Sequence, residues 1–363
     1  MIVEQRSWRG SWSDTKIDNS KVNLLLLFGD CEYFKTKQMF DEVRDIYPNA
    51  IIVGCSTSGS IIGDNISDND IIATAIIFEK DISLKVITID DMDEDLIINE
   101  AIKLKDSKHT FVLSCGLISG DVIAKSFNKA GVVISGGLAG DGTRFGNTYV
   151  IANDIAKQNR IVAIGFYGDD LIIKTGCYAG WDEFGPEKII TKAENNIIYE
   201  IDNEPALTLY RRYLGDEAVN LPSSGLRFPI NIRENESERP IIRALLNINN
   251  SDNSIILAGD APVGYFAKFM KTNIDNLIDN AILAAQDAKF ETTENNHLTI
   301  AVSCIGRRIV LGQIVEEELE VVADTLKGYM TGFYSYGELA PFHNTTVCKL
   351  HNETITLTTI YEL

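Results

Sequence analysis

One arrangement recurs three times along the 363-residue chain and constrains the fold more than any single motif: an apolar strand, an amphipathic helix, a second apolar strand, then a glycine-rich loop. The first copy places a strand over 22–28 and a helix with Met39, Val43, Ile46 and Tyr47 on one face. Pro48 stops that helix, and a return strand runs over 50–53. The second copy has a strand over 110–114, a helix between the Ser119 cap and the Gly131 stop, and a strand over 132–135. The third has a strand over 298–304 and a helix whose Leu319, Val322, Ala323 and Leu326 follow the spacing of a buried stripe. The loops are Gly54-Cys55-Ser56-Thr57-Ser58-Gly59, Gly136-Gly137-Leu138-Ala139-Gly140-Asp141-Gly142 and Gly332-Phe333-Tyr334-Ser335-Tyr336-Gly337-Glu338. Gly54 to Gly59 repeats the separation of Gly332 to Gly337. Strand pairs over 71–78 and 83–89, turning at Asp81, and over 160–167 and 171–177 read as hairpins. The last strand sets Thr354, Thr356 and Thr358 against Ile355 and Leu357, one wet face and one dry. The expected fold class is α+β: repeated β-α-β-hairpin units forming mixed sheets, with helices covering two face-to-face sheets in a layered αββα-like sandwich.

Between the second and third copies, Pro205 and Gly215 frame one helix and Asn273 opens another. The charged run 233–239 reads as a solvated loop near a seam. The expected organisation is a loose lead-in over 1–20 that Trp8 or Trp12 pins, an N-terminal module over 21–200 and a C-terminal module over 201–363. Thirty-three Lys and Arg against 52 Asp and Glu leave a net charge of −19, which repels nucleic acid and anionic lipid. The six cysteines include no Cys-x-x-Cys pair, so the thiols are expected to be reduced and the protein cytoplasmic. No run approaches the ~18 apolar residues of a membrane span, and no signal-peptide core opens the chain, so membrane insertion is not expected.

A glycine loop after a strand lets backbone N–H groups converge on a ligand, because no side chain holds the ligand away. Three such loops in related units are expected to share one rim and a common cavity. None is a nucleotide motif: Ser60-Ile61 follows Gly59 where Lys-Ser/Thr would stand, and Gly137 to Gly142 lacks Gly-x-Gly-x-x-Gly spacing. The candidate ligand-binding residues are Gly54, Cys55, Ser56, Thr57, Gly136, Gly137, Gly140, Asp141, Arg307, Tyr334, Tyr336 and Glu338. Arg307 would take a carboxylate in bidentate fashion, Glu338 an amino group, and the tyrosines would wall the pocket. That set suits an amino-acid-like ligand. Cys55 would be a hydrolase nucleophile only beside a histidine, and His109 and His297 read as exposed loop residues. No Gly-x-Ser-x-Gly elbow is present, so a Cys-dependent hydrolase ranks as a second alternative. No resident metal is expected: Cys348 and His351 would point to opposite faces of one strand, and 90–95 lacks the glycine and closing glutamate of a calcium loop. A single histidine can hold haem iron without any motif, which keeps haem open at His351 or His343.

The chain resembles FIST-domain proteins with N-terminal and C-terminal modules in tandem. The likeness is carried by Val53 to Gly59, Gly136 to Gly142, Glu204-Pro205-Ala206-Leu207, Ser303-Cys304-Ile305-Gly306-Arg307, Gly332 to Glu338 and His351-Asn352-Glu353-Thr354, in that order. The resemblance implies a non-catalytic sensory module that binds small ligands such as amino acids. Similar stand-alone members bind haem, sense nitric oxide and regulate a histidine kinase, which is the first alternative here. No kinase, cyclase or chemoreceptor segment is appended, so output would pass through a separate signalling protein, and the lead-in lacks an F-box-like leader.

Overall fold

The computed structural model describes residues 1–12, 15–291, 296–342 and 345–363. The first unit comprises β1 (Ile2–Trp8), β2 (Leu24–Gly29), α1 (Cys31–Phe34), α2 (Lys37–Ile46), β3 (Ile51–Ser56), β4 (Ser60–Ile62), β5 (Asn65–Ser67), β6 (Ile71–Ile77) and β7 (Ser83–Ile89). The second comprises α3 (Glu94–Ala101), β8 (His109–Ser114), α4 (Gly120–Ala130), β9 (Ile134–Leu138), β10 (Val150–Ala152), β11 (Ile161–Tyr167) and β12 (Leu171–Tyr178). An inserted sheet follows, with β13 (Asp182–Glu194), β14 (Ile197–Ile201), β15 (Glu204–Pro205), α5 (Ala206–Leu214), β16 (Ile230–Arg233), β17 (Ile241–Arg243), β18 (Leu245–Asn249), β19 (Ser254–Leu257) and β20 (Phe266–Lys271). The third unit has α6 (Ile274–Asp287), β21 (His297–Cys304), α7 (Ile305–Leu311), α8 (Val315–Leu326), β22 (Tyr329–Ser335), β23 (Gly337–Pro341), β24 (Cys348–His351) and β25 (Ile355–Glu362).

The threefold recurrence holds in space. β2 and β3, β8 and β9, and β21 and β22 are parallel pairs, and each needs the helical crossover that α2, α4 and α8 supply. β6, β11 and β25 close the three units antiparallel to β2, β8 and β21. These strands are buried on both faces because both faces are covered. The inner faces of all three sheets share one core that includes Leu24, Phe28, Phe111, Val162, Val302 and Phe333. The outer faces pack under α2, under α3 and α4, and under α6 and α8. The result is an α+β fold of mixed sheets packed face to face beneath helices, as expected, with three such sheets about one axis.

Four local expectations are corrected. The strand pairs read as hairpins cross between sheets: β6 lies in the first sheet while β7 pairs with β11 of the second, and β12 pairs with β25 of the third. A short turn between two strands is equally compatible with a sheet change, and here the shared core favours the change. The threonine face of β25 is dry: Thr356 and Thr358 are buried, and Thr358 Oγ1 lies 2.6 Å from Ser135 Oγ of the second unit. Residues 2–8 of the lead-in are a strand paired along all of β6, and Trp8 and Trp12 pack on the first unit's outer core. His109 and His297 are buried strand residues. The inserted sheet has its own core under α5.

Candidate ligand site above the glycine loops

The loops do meet. Ser58 N–H donates to the Tyr334 carbonyl at 2.8 Å, Tyr336 N–H to Leu138 at 3.1 Å, and Gly140 N–H to Ser56 at 2.9 Å. Each loop gives one amide to the next and accepts one from the previous, which closes a three-membered ring about the axis. The strand that follows each loop then joins the neighbouring sheet: β4 pairs with β22, β10 with β3 and β23 with β9. These ring amides are therefore bonded within the protein, and they join the units.

The glycines have a packing cause. Gly54 lies opposite Leu27, Gly136 opposite Val112 and Gly332 opposite Ala301 in the three parallel pairs. A Cβ at these positions would stand 2.0, 1.9 and 1.8 Å from the facing carbonyl oxygen, so the backbones can approach only without one. Gly137 lies beneath Phe333 and Val302 and leaves the room their side chains fill. A Cβ on Gly140 would collide with Ser58. Cys55 is wholly buried in the shared core, and burial pushes its thiol well up, away from the thiolate that a nucleophile requires. Ser56 Oγ accepts from Tyr149 N–H. Thr57 Oγ1 accepts from Gly59 N–H, and Thr57, though buried, borders the depression above the ring.

Asp141 and Tyr336 bond each other. The tyrosine hydroxyl donates to the Asp141 carboxylate and accepts from the amides of Asp141 and Phe145, while Asp141 Oδ2 accepts from Gly146 and Asn147 at 2.9 Å each. Tyr336 also stacks on Phe145 at 4.6 Å. Arg307, Tyr334 and Glu338 lie deeper. Arg307 pairs with Glu318, both fully buried, and donates to the Ala179 and Leu277 carbonyls. Tyr334 OH reaches Glu318 at 3.3 Å, and Glu338 accepts from Ser335 Oγ, Thr354 Oγ1 and Thr354 N–H. Burial pushes the Glu338 carboxyl up to about 8, against those three bonds. The two charges expected to clasp a zwitterion are thus held by internal partners.

Directly above the ring lies a depression of about 460 Å³. The first unit lines it with Asp30, Thr57, Ser58, Gly59 and Asp68, the second with Gly142 and Arg144, and the third with Ile305, Arg308 and Ile309 of α7. Arg308 forms a bidentate pair with Asp68 at 2.7 and 2.6 Å, donates to the Ser58 carbonyl and lies over the Tyr334 ring. Arg144 is half exposed and held loosely, 3.7 Å from Asp30 and 3.9 Å from Asp141, with one bond to Cys31 Sγ at 3.0 Å. Asp30, Cys31 and Glu32 bring their donor atoms within 4.8 Å of one another, and Arg144 stands there as the positive group. Sequence reasoning missed Arg144, which no motif marks, and chose Arg307 over Arg308. The helical turn from Ile305 to Leu311 decides between those two, sending Arg307 inward and its neighbour to the rim.

His351 borders a cleft of only about 180 Å³ and stacks on Phe342 at 5.9 Å. That volume is below the ~300–1,000 Å³ of cofactor-sized sites. His343 lies outside the described residues. His109 bonds Ser135 Oγ at 2.7 Å, and burial lowers its pKa to about 4. A depressed imidazole contributes stability above its unfolded pKa near 6.5 and loses it as pH falls toward 4. Denaturant titrations of wild type and His109→Gln are expected to diverge across that window, with the wild type losing about 3 kcal/mol more; parallel pH profiles would contradict the assignment.

Against known proteins, residues 23–204 match the FIST N domain and residues 206–341 the FIST C domain. The chain belongs to the FIST family, whose domains are sensory domains of signal transduction. An uncharacterized protein of Methanocaldococcus jannaschii is 25% identical over 346 residues, covering 84% of this chain. The chain spans 63% of that relative's length. No helix among the described residues is long and apolar enough to cross a membrane.

Proposed function

We propose that this chain senses a small zwitterionic, amino-acid-like metabolite in the depression above the loop ring and reports it to a separate signalling protein such as a histidine kinase. The observation that carries the reading is the rim itself: two arginines and two aspartates from three units around a volume suited to one small molecule. Arg144 is the cation available to a carboxylate, since both its ion pairs are long. Asp30 and Asp68 offer an ammonium group its acceptors, and Ile305 and Ile309 offer an apolar wall. A ligand shifts a signalling equilibrium only by its differential affinity for two packings. α7 supplies a route for that difference, because Arg308 faces the depression and Arg307 one residue before it ties α7 to carbonyls flanking the inserted sheet.

A thermal-shift panel of amino acids, amines, carboxylates and phosphates tests the reading. Free amino acids are expected to raise the melting temperature by mass action, while the matching amines and carboxylates alone do not. A response confined to phosphates, or to none of the classes, would overturn it.

A further inference from the structure

The turn between β24 and β25 breaks two local rules at once. Asn352 and Glu353 are buried to 1% and 0% exposure, yet among the described residues neither the Glu353 carboxylate nor the Asn352 carboxamide has a hydrogen-bond partner. Buried polar groups are ordinarily satisfied, and an unpaired one carries its full desolvation penalty. Glu353 also has φ of 60°, a left-handed conformation that a non-glycine residue adopts at a cost. The turn is nevertheless firmly placed. Trp181 Nε1 donates to the Glu353 carbonyl at 3.0 Å, and both carboxylate oxygens lie against Gly306, where a Cβ would be 2.4 Å away.

The surrounding charges leave this carboxylate uncompensated. The nearby cation, Arg307, is already paired with Glu318, and the nearby Glu338 is a second carboxyl held by Ser335 and Thr354. A proton would remove the charge of Glu353 but leave the Asn352 amide and a carboxylate oxygen without partners. A coordinated cation compensates the charge and engages the Asn352 Oδ1 together with both carboxylate oxygens, leaving only the Asn352 Nδ2 unpaired. The donors are all oxygen, which suits a hard cation, and a fully buried turn cannot accommodate the water shell that magnesium keeps. The 180 Å³ cleft reaches His351 and Thr354, the residues on either side of the turn.

We propose that the Asn352–Glu353 turn, with Glu338 behind it, is an internal binding site for one monovalent cation of the sodium, potassium or ammonium class. The site is separate from the depression above the loops and does not depend on that reading.

The test is thermal unfolding of the full chain at pH 8 in sodium, potassium, ammonium or choline chloride at one ionic strength. At least one small cation is expected to raise the melting temperature by roughly 5 °C over choline, with a rise that saturates. Glu353→Gln should abolish the difference, and Asn352→Ala should weaken the apparent affinity at least tenfold, so the proposal stays testable if either variant fails to fold. Arg144→Ala should leave the cation response unchanged. Identical curves in all four salts, or a cation response that survives in whichever variant folds, would overturn the proposal. So would sensitivity to pH without sensitivity to the cation, which would assign the site to a proton.

Discussion

Arg307→Met is expected to destabilise the folded chain by about 3–5 kcal/mol, and to do so without touching the surface. Arg307 and Glu318 are both wholly buried, and the glutamate's other contacts are Ser303 Oγ and Tyr334 OH. Removing the guanidinium leaves an ionised carboxyl in a low-dielectric interior and strips two carbonyls, Ala179 and Leu277, of their donor. The double variant Arg307→Met, Glu318→Leu is expected to recover most of the loss, because replacing both members of a buried pair is far milder than removing one. Denaturant unfolding of the single and double variants checks this. A single variant as stable as wild type would show that Arg307 is not committed to the interior, and would return it to the list of ligand contacts.

Gly332→Ala carries an effect at least as large. Its new Cβ would stand 1.8 Å from the Ala301 carbonyl oxygen across a parallel strand pair. No rotamer relieves a clash between Cβ and backbone, so β21 and β22 must separate, and a loss above about 4 kcal/mol is expected. Gly136→Ala, at the equivalent place in the second unit, should behave alike. Gly131→Ala is the contrast: that residue has φ of 70° and only a lysine carbon 3.9 Å from its Cβ position, so the strain of a left-handed alanine, about 1–2 kcal/mol, is all that is expected. Equal losses at Gly131 and Gly332 would contradict the close approach of the paired strands.

These glycines show what the sequence discloses and where it stops. Gly54, Gly136 and Gly332 are visible as a repeated feature, and the repeat correctly announces three related units with parallel pairs. Their cause is not visible, because a glycine that lets a ligand approach and a glycine that lets a neighbouring strand approach are the same letter. The loops were expected to aim amides at a ligand. The ring instead uses one amide from each loop to join the units, a closure that depends on each chain segment changing sheets after its loop. Hairpin signals cannot report such an exchange, since Phe78 to Ile82 is a short turn in either arrangement. The three apolar strand sets were legible because both faces are buried, whereas Thr356 and Thr358 were read as wet because alternation reveals period and not surroundings. Of the residues the sequence singles out, Thr57 lines the depression above the ring. Arg144 and Asp68 reach the rim through tertiary packing alone, and the choice between Arg307 and Arg308 rests on a helical phase that seven residues barely define.

The functional account rests on the loosely held guanidinium of Arg144 and its acidic neighbours forming one receptor for a zwitterion. Calorimetric titration of the amino acid that gives the largest thermal shift, into wild type and into Arg144→Ala, tests this most directly. Because Arg144 is half exposed with long ion pairs, the variant should fold normally and lose roughly 10- to 100-fold in affinity, the worth of a charge-assisted contact. Unchanged affinity in the variant would contradict the account and place the ligand elsewhere.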